Sequence, residues 1–318
     1  MLLNFADRLI DAVAAKRAPA VIALDPVLDR LPEEIRAIAG TARQNSLDAA
    51  AEALWEFGWR VIRTVAPLVP AIKINSAYFE VYRARGVEVY YNLVAEAAQQ
   101  GLLVIGDVKR GDVGHSAEMY ALAQLAEAEL AEADDRASPD AITVNGYFGL
   151  DGIQPFIEVA KRQNKGLFVL VRTSNPSAGT IQDIAASDGK KMHEVIASEV
   201  ARWSADPGLV GERGYSSLGA VTATRDPEDA RRLRAAMPRS FLLVPGYGAQ
   251  GGKAEDFAPY CNPDGGGAIV AAGRSVIFAH DQARYRERFG AKWEACVQQA
   301  CLDFVADLAR IMSHMPGR

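Results

Sequence analysis

The sequence predicts an α/β protein: a (β/α)8 barrel with additional terminal helices. Eight short apolar runs alternate with longer helical stretches, the pattern of parallel strands joined by crossovers. The chain has 318 residues. A barrel of this kind usually takes about 250, which leaves a remainder for terminal helices and longer loops. Most of the apolar runs also end in a polar residue on their C-terminal side, the rim on which such barrels build active sites.

The expected strands are "AVIALD" at 20–25, "PAIKIN" at 70–75, "LLVIGDVK" at 102–109 and "DAITVN" at 140–145. The second half adds "GLFVLVR" at 166–172, "SLGAVTA" at 217–223, "SFLLVPG" at 240–246 and "GAIVAAG" at 267–273. Helices are expected over 47–68 and 115–133. At the N-terminus, Phe5, Leu9, Ala12 and Val13 mark one apolar helical face. Longer loops follow the first and fifth strands. No Pro/Gly/Ser-rich linker or low-complexity tract interrupts the chain, so 1–318 reads as a single domain.

Composition narrows the function. With 49% hydrophobic residues, a chain of this length builds a core without staples. The net charge of −5 weighs against nucleic acid or an anionic membrane as the main partner. Three cysteines, Cys261, Cys296 and Cys301, form no CxxC pair, and an odd number argues for a reduced, cytosolic protein rather than a disulfide framework. Asp7, Arg8, Asp11, Lys16 and Arg17 interrupt any signal-peptide core. No run reaches the roughly 18 apolar residues of a membrane span. His115, His193, His280 and His314 lack metal-site spacing.

The polar strand ends are Asp25, Lys73, Asp107 with Lys109, Asn145, Arg172, Thr222 and Arg274. Side chains alternate along a strand, so Asp107 and Lys109 share a face, as do Lys73 and Asn75. Pointed into a barrel mouth, with Asp25 beside them, they make an alternating network of ammonium and carboxylate groups. Opposite charges favour the charged form, so Lys109 reads as a proton donor and not a Schiff-base nucleophile. A structural salt-bridge cluster at the rim is the alternative reading.

Two loops complete the candidate site. "VPGYGAQGG" contains Gly246-x-Gly248-x-x-Gly251, a literal dinucleotide-binding fingerprint. That fingerprint belongs in a first βαβ unit, whereas this one follows the seventh strand. There, barrel loops commonly cradle phosphate, and glycines let backbone N–H groups approach an anion. Arg274, in "GRS" after the eighth strand, is placed to add a bidentate phosphate contact. The turn-rich segment 172–190 after the fifth strand reads as a lid.

"DVKRGDVGHS" resembles the signature of the orotidine 5′-phosphate decarboxylase family: Asp-x-Lys-x-x-Asp with a small hydroxyl residue four positions later. Asp107, Lys109, Asp112 and Ser116 fit it. "FADRLIDAVAAKRAPAVIALDP", "AIKINSAYFE", "DAITVNGYFG", "VRTSNPSAG" and "VPGYGAQGG" fall in the order of that family's longer bacterial branch, covering nearly the whole chain. The resemblance implies conversion of orotidine 5′-phosphate to UMP with no metal or organic cofactor. It implies Lys109 as proton donor, Asp107 positioning it, and Asp112 near the scissile carboxylate. Asp25 and Lys73 would hold the ribose hydroxyls, and Gln250 and Arg274 the phosphate beside Gly251. Ser174 would read the pyrimidine, with Thr173 or Asn175 in its place if the register slips by one. It further implies a homodimer in which Asp112 and Ser116 enter the neighbouring subunit's site. The chain departs from that branch at Gly146, more often proline there, and in the long stretch between strands five and six. Two other functions stay open: a related barrel sugar-phosphate decarboxylase using Mg²⁺, and a non-catalytic nucleotide-phosphate binding protein.

Overall fold

Strands that are apolar on both faces must be covered on both, and here they are. The computed structural model describes residues 3–40, 47–126, 138–224, 226–248 and 251–313. Eight parallel strands close in sequence order: β1 (Ala20–Leu24), β2 (Ala71–Asn75), β3 (Leu103–Arg110), β4 (Ala141–Val144), β5 (Gly166–Arg172), β6 (Ser216–Thr222), β7 (Ser240–Pro245) and β8 (Ala268–Ala272). Each end lies within one residue of the expected run. Val21 pairs with Ala71 on one side and with Ala271 on the other, so β1 closes the ring.

The two faces of the strands feed two apolar clusters. Val21, Ile105, Phe168, Phe241, Leu243 and Ile269 fill the barrel interior. Their neighbours Ile22, Val104, Ile142, Val169, Leu242 and Val270 point outward beneath the helices. The longer helices are α1 (Phe5–Lys16), α2 (Leu47–Val65), α3 (Arg83–Gln99), α4 (Gly114–Leu125), α5 (Leu150–Gln163), α6 (Met192–Trp203), α7 (Pro227–Ala236) and α8 (Trp293–Met312). In α2, Leu54, Phe57, Val61 and Val65 recur at helical spacing and are all buried. The expected helix over 115–133 ends at Leu125, and its last residues from 127 onward lie outside the described residues.

The N-terminal end of the barrel is stoppered. The Asn4 side chain caps α1 by accepting the Asp7 N–H at 2.9 Å. Phe5 and Leu9 are then buried against the interior cluster, and Phe5 meets Phe168 edge-on at 5.9 Å. Gly166 admits that ring, since a Cβ there would lie 2.2 Å from Phe5. Asp7, also buried, accepts the backbone N–H groups of Glu212 at 2.8 Å and Arg213 at 3.1 Å. Polar access to the interior is thus left to the C-terminal rim. Among the described residues no helix is long and apolar enough to cross a membrane.

Candidate active site

The site is built where β3 leaves regular pairing. Its ladder with β4 runs through Gly106↔Ile142 and resumes at Arg110↔Val144. Across this bulge Lys109 takes a left-handed backbone, φ +46°. Bulges of this kind re-aim side chains beside active sites. Asp107 stands at the centre of the result. Its Oδ2 accepts the Lys73 ammonium at 2.5 Å and its Oδ1 the Lys109 ammonium at 2.6 Å. The Thr143 hydroxyl donates to the same Oδ1 at 2.9 Å and accepts the Lys109 N–H at 3.0 Å. Lys73 also faces Asp25 Oδ1 at 3.5 Å.

The electrostatics follow from this placement. Burial alone would raise the Asp107 carboxyl, but Lys73 and Lys109 outweigh it and hold the group well below the usual carboxylate range. Burial likewise opposes the charge on Lys73, and Asp25 and Asp107 overcome it, lifting its pKa above the ordinary lysine value. Lys73 and Asp107 are therefore each held in the ionised form by the opposite charges around them. Asp25 Oδ1 is shielded from solvent and turned toward Lys73, while the Asp25 side chain as a whole stays 22% exposed and lines the cavity, so its carboxylate keeps capacity for a donor from a ligand.

A cavity of about 350 Å³ opens over this network, walled by Asp25, Lys73, Asp107, Lys109, Ser174 and Arg274 among others. Arg274 starts a short helix, Arg274–Ile277, after β8, and it is exposed with no ion-pair partner among the described residues. Beside it runs the glycine loop. Gly246, Gly248 and Gly251 all have positive φ, and a Cβ on Gly248 would lie 2.8 Å from Ser275. Gly251 lines the adjoining cleft and not this cavity. Gln250 lies outside the described residues.

The expected lid is more structured than a turn-rich loop. It contains a short helix, Ala178–Gln182. Gln182 grips Thr173 twice, accepting its N–H at 3.0 Å and donating to its hydroxyl at 2.7 Å. Arg172, read from sequence as a rim residue, pairs with Asp183 at 3.1 Å. Thr173 in turn donates to Asn175 at 2.6 Å. With both neighbours engaged, Ser174 is the residue of the three whose hydroxyl has no hydrogen bond among the described residues. Asp112 and Ser116 do not line the cavity; the Asp112 carboxylate caps its own loop at the Val113 N–H, 2.8 Å away. Gly146, the departure noted above, is packed against β5, where a Cβ would lie 2.8 Å from Val169.

Sequence reasoning missed Thr143, Tyr78 and Gln182. Tyr78 lines the cavity, and burial, then the charge of Asp25, pushes its phenol up. It also missed the grouping of His193, Glu194 and Asp229, whose ligand atoms lie within 4.8 Å of one another. That grouping is already compensated. His193 sits 2.8 Å from the Gln182 carbonyl and 3.3 Å from Asp229, and Arg232 faces both carboxylates at 3.1 and 3.8 Å. It anchors the end of the lid helix.

Residues 41–289 match the family model described as orotidine 5′-phosphate decarboxylase / HUMPS family. The chain belongs to this family. A Caldicellulosiruptor saccharolyticus relative named orotidine 5′-phosphate decarboxylase is 39% identical over 280 residues, 88% of this chain and 91% of its own. One from Rhodopirellula baltica with the same name is 37% identical over 308 residues, 95% and 97% of the two chains. Among solved structures, a Streptomyces avermitilis protein provisionally given that name superposes with a TM-score of 0.76 at 28% identity, covering 98% of this chain and 97% of its own. The Rhodopirellula baltica and Streptomyces avermitilis alignments leave out too little of the chain to miss β1, which the family model does not reach, and so take in Asp25.

Proposed function

We propose that this protein decarboxylates orotidine 5′-phosphate to UMP, the step that completes UMP in pyrimidine biosynthesis. The observation that carries the reading is the Asp25–Lys73–Asp107–Lys109 chain lining a cavity that also holds Arg274, an arginine with no ion-pair partner among the described residues. Arg274 and the backbone of the glycine loop take the phosphate. Asp25 and Lys73, both lining the cavity, take the ribose hydroxyls. Ser174 meets the pyrimidine edge from the lid.

The chemistry then falls on Lys109. As the bond from C6 to the carboxylate carbon breaks, CO₂ departs and the electron pair stays on C6. The Lys109 ammonium stabilises that charge and delivers its proton to it, and the resulting amine is reprotonated from solvent. Charges already fixed before the reaction need no reorganisation during it, which makes preorganised electrostatics the main source of rate. Phosphate binding, remote from C6, contributes to lowering the barrier as well as to affinity.

Asp112 and Ser116 belong to a neighbouring subunit's site in this reading. They flank the start of α4, around which Val113, Met119, Tyr120, Tyr147, Phe148 and Leu150 expose a run of apolar surface. Such a patch supports burial against a second copy of the chain.

The test is direct. Purified, chelator-treated protein is expected to abolish the absorbance of orotidine 5′-phosphate and yield UMP, with no change on adding Mg²⁺. UMP binding without turnover would favour a binding protein, and activity that needs restored metal would favour the sugar-phosphate branch of the family.

A further inference from the structure

Thr143 occupies an unusual position in the sheet. Between the pairs Gly106↔Ile142 and Arg110↔Val144, three residues of β3 stand opposite this single residue of β4. The Lys109 N–H, displaced by the bulge, meets the Thr143 hydroxyl at 3.0 Å and not a strand carbonyl. That hydroxyl passes its own proton toward Asp107 Oδ1 at 2.9 Å, and the same Oδ1 holds the Lys109 ammonium at 2.6 Å. A closed ring results. It grips Lys109 at both ends, the backbone through Thr143 and the ammonium through Asp107.

The grip matters because of what it holds. Lys109 has φ +46°, a conformation that a residue with a side chain keeps only where its surroundings over-determine it. Thr143 is 1% exposed, so solvent does not stand in for its hydroxyl. A lone threonine in an apolar strand has no other evident partner to satisfy: both its hydrogen bonds go to the charged strand end.

We propose that Thr143 is a positioning residue, whose hydroxyl holds the turn at Lys109 and so sets the line along which the ammonium approaches the reacting carbon. This rests on the decarboxylase reading above. It acts through Lys109 and Asp107.

Thr143→Val keeps the shape of the side chain and removes the hydroxyl; Thr143→Ser keeps the hydroxyl and removes the methyl. Both are measured for kcat and KM with orotidine 5′-phosphate and for UMP affinity by calorimetry. Misplacing a reacting group by about 1 Å costs up to about 10²-fold, so Thr143→Val is expected to lose about 10- to 10²-fold in kcat. Its KM and UMP affinity should stay within about threefold of wild type, and Thr143→Ser should retain most of kcat, the pattern of an interaction realised in the transition state. If Thr143→Val does not fold, Thr143→Cys, a weak donor and acceptor, is expected to show the same split. The inference is overturned if the Val or Cys variant keeps wild-type kcat, if the loss appears in KM and UMP affinity instead, or if Ser loses as much as Val. A wild-type protein that binds UMP but leaves orotidine 5′-phosphate unchanged overturns the underlying reading, an outcome distinct from these.

Discussion

Lys109 is the residue on which the proposed chemistry depends, and its surroundings explain how it can serve. Asp107 holds its ammonium from one side while the cavity opens on the other. Lys109→Ala removes both proton donor and charge. General acid catalysis alone supplies about 10²–10⁴-fold, so kcat is expected to fall by at least that much while circular dichroism and UMP binding persist; a variant keeping a tenth of wild-type kcat would displace Lys109 from this role. Arg274, also lining the cavity, has no ion-pair partner among the described residues to surrender. Charged hydrogen bonds contribute about 1.5–3 kcal/mol each, so Arg274→Ala should weaken UMP by tenfold or more and leave uridine nearly untouched. Equal losses for both would mean that Arg274 does not meet phosphate. At this scale, sequence went far. Strand alternation put Asp107 and Lys109 on one face, and charges inside apolar runs exposed Lys73. Thr143 escaped because one hydroxyl in "AITV" reads as an ordinary strand residue, and nothing in spacing reveals a bulge in the neighbouring strand that leaves an N–H for it to accept.

At the scale of elements, the eight strands were legible because each must be apolar on both faces, between the interior and the helices, and such runs stand out against amphipathic helical stretches. Loops carry no comparable constraint, and the lid shows the consequence. Its polar, turn-rich composition concealed the short helix Ala178–Gln182 and the contacts that hold it: Gln182 on Thr173, Asp183 on Arg172, and the Gln182 carbonyl against buried His193. The lid is therefore tethered at its base, next to β5, and exposed at its tip, where Ser174 to Ser177 project into solvent. Local opening draws on regions with few buried contacts, so the tip should be the part that responds to ligand. Hydrogen exchange with and without a tight nucleotide inhibitor is expected to slow at 174–177 and to change little at 182–193. Protection spread evenly over 172–193, or absent from 174–177, would remove the lid from the mechanism.

The whole molecule separates stability from chemistry along the barrel axis. α1 seals the N-terminal end with Phe5, Leu9 and Asp7, while every charged group of the candidate site stands at the C-terminal end. In the proposed shared-site reading, one chain leaves that end incomplete. Asp112 follows the strand by two residues, past Gly111, and faces its own loop rather than the cavity, and Ser116 sits exposed on the first turn of α4. The apolar surface around them suits an isologous interface, in which each copy donates what it receives. Complementation tests this. Lys109→Ala and Asp112→Ala homodimers are each expected to be nearly inactive. Unfolded and refolded together in equal amounts, half of the dimers are mixed. In a mixed dimer with shared sites, one site carries both defects and the other carries neither. About a quarter of all sites are then intact, so the mixture should recover about a quarter of wild-type activity from two inactive parents. Mass spectrometry of the mixture establishes that mixed dimers have formed. If they have, and activity does not return, Asp112 serves the site of its own chain.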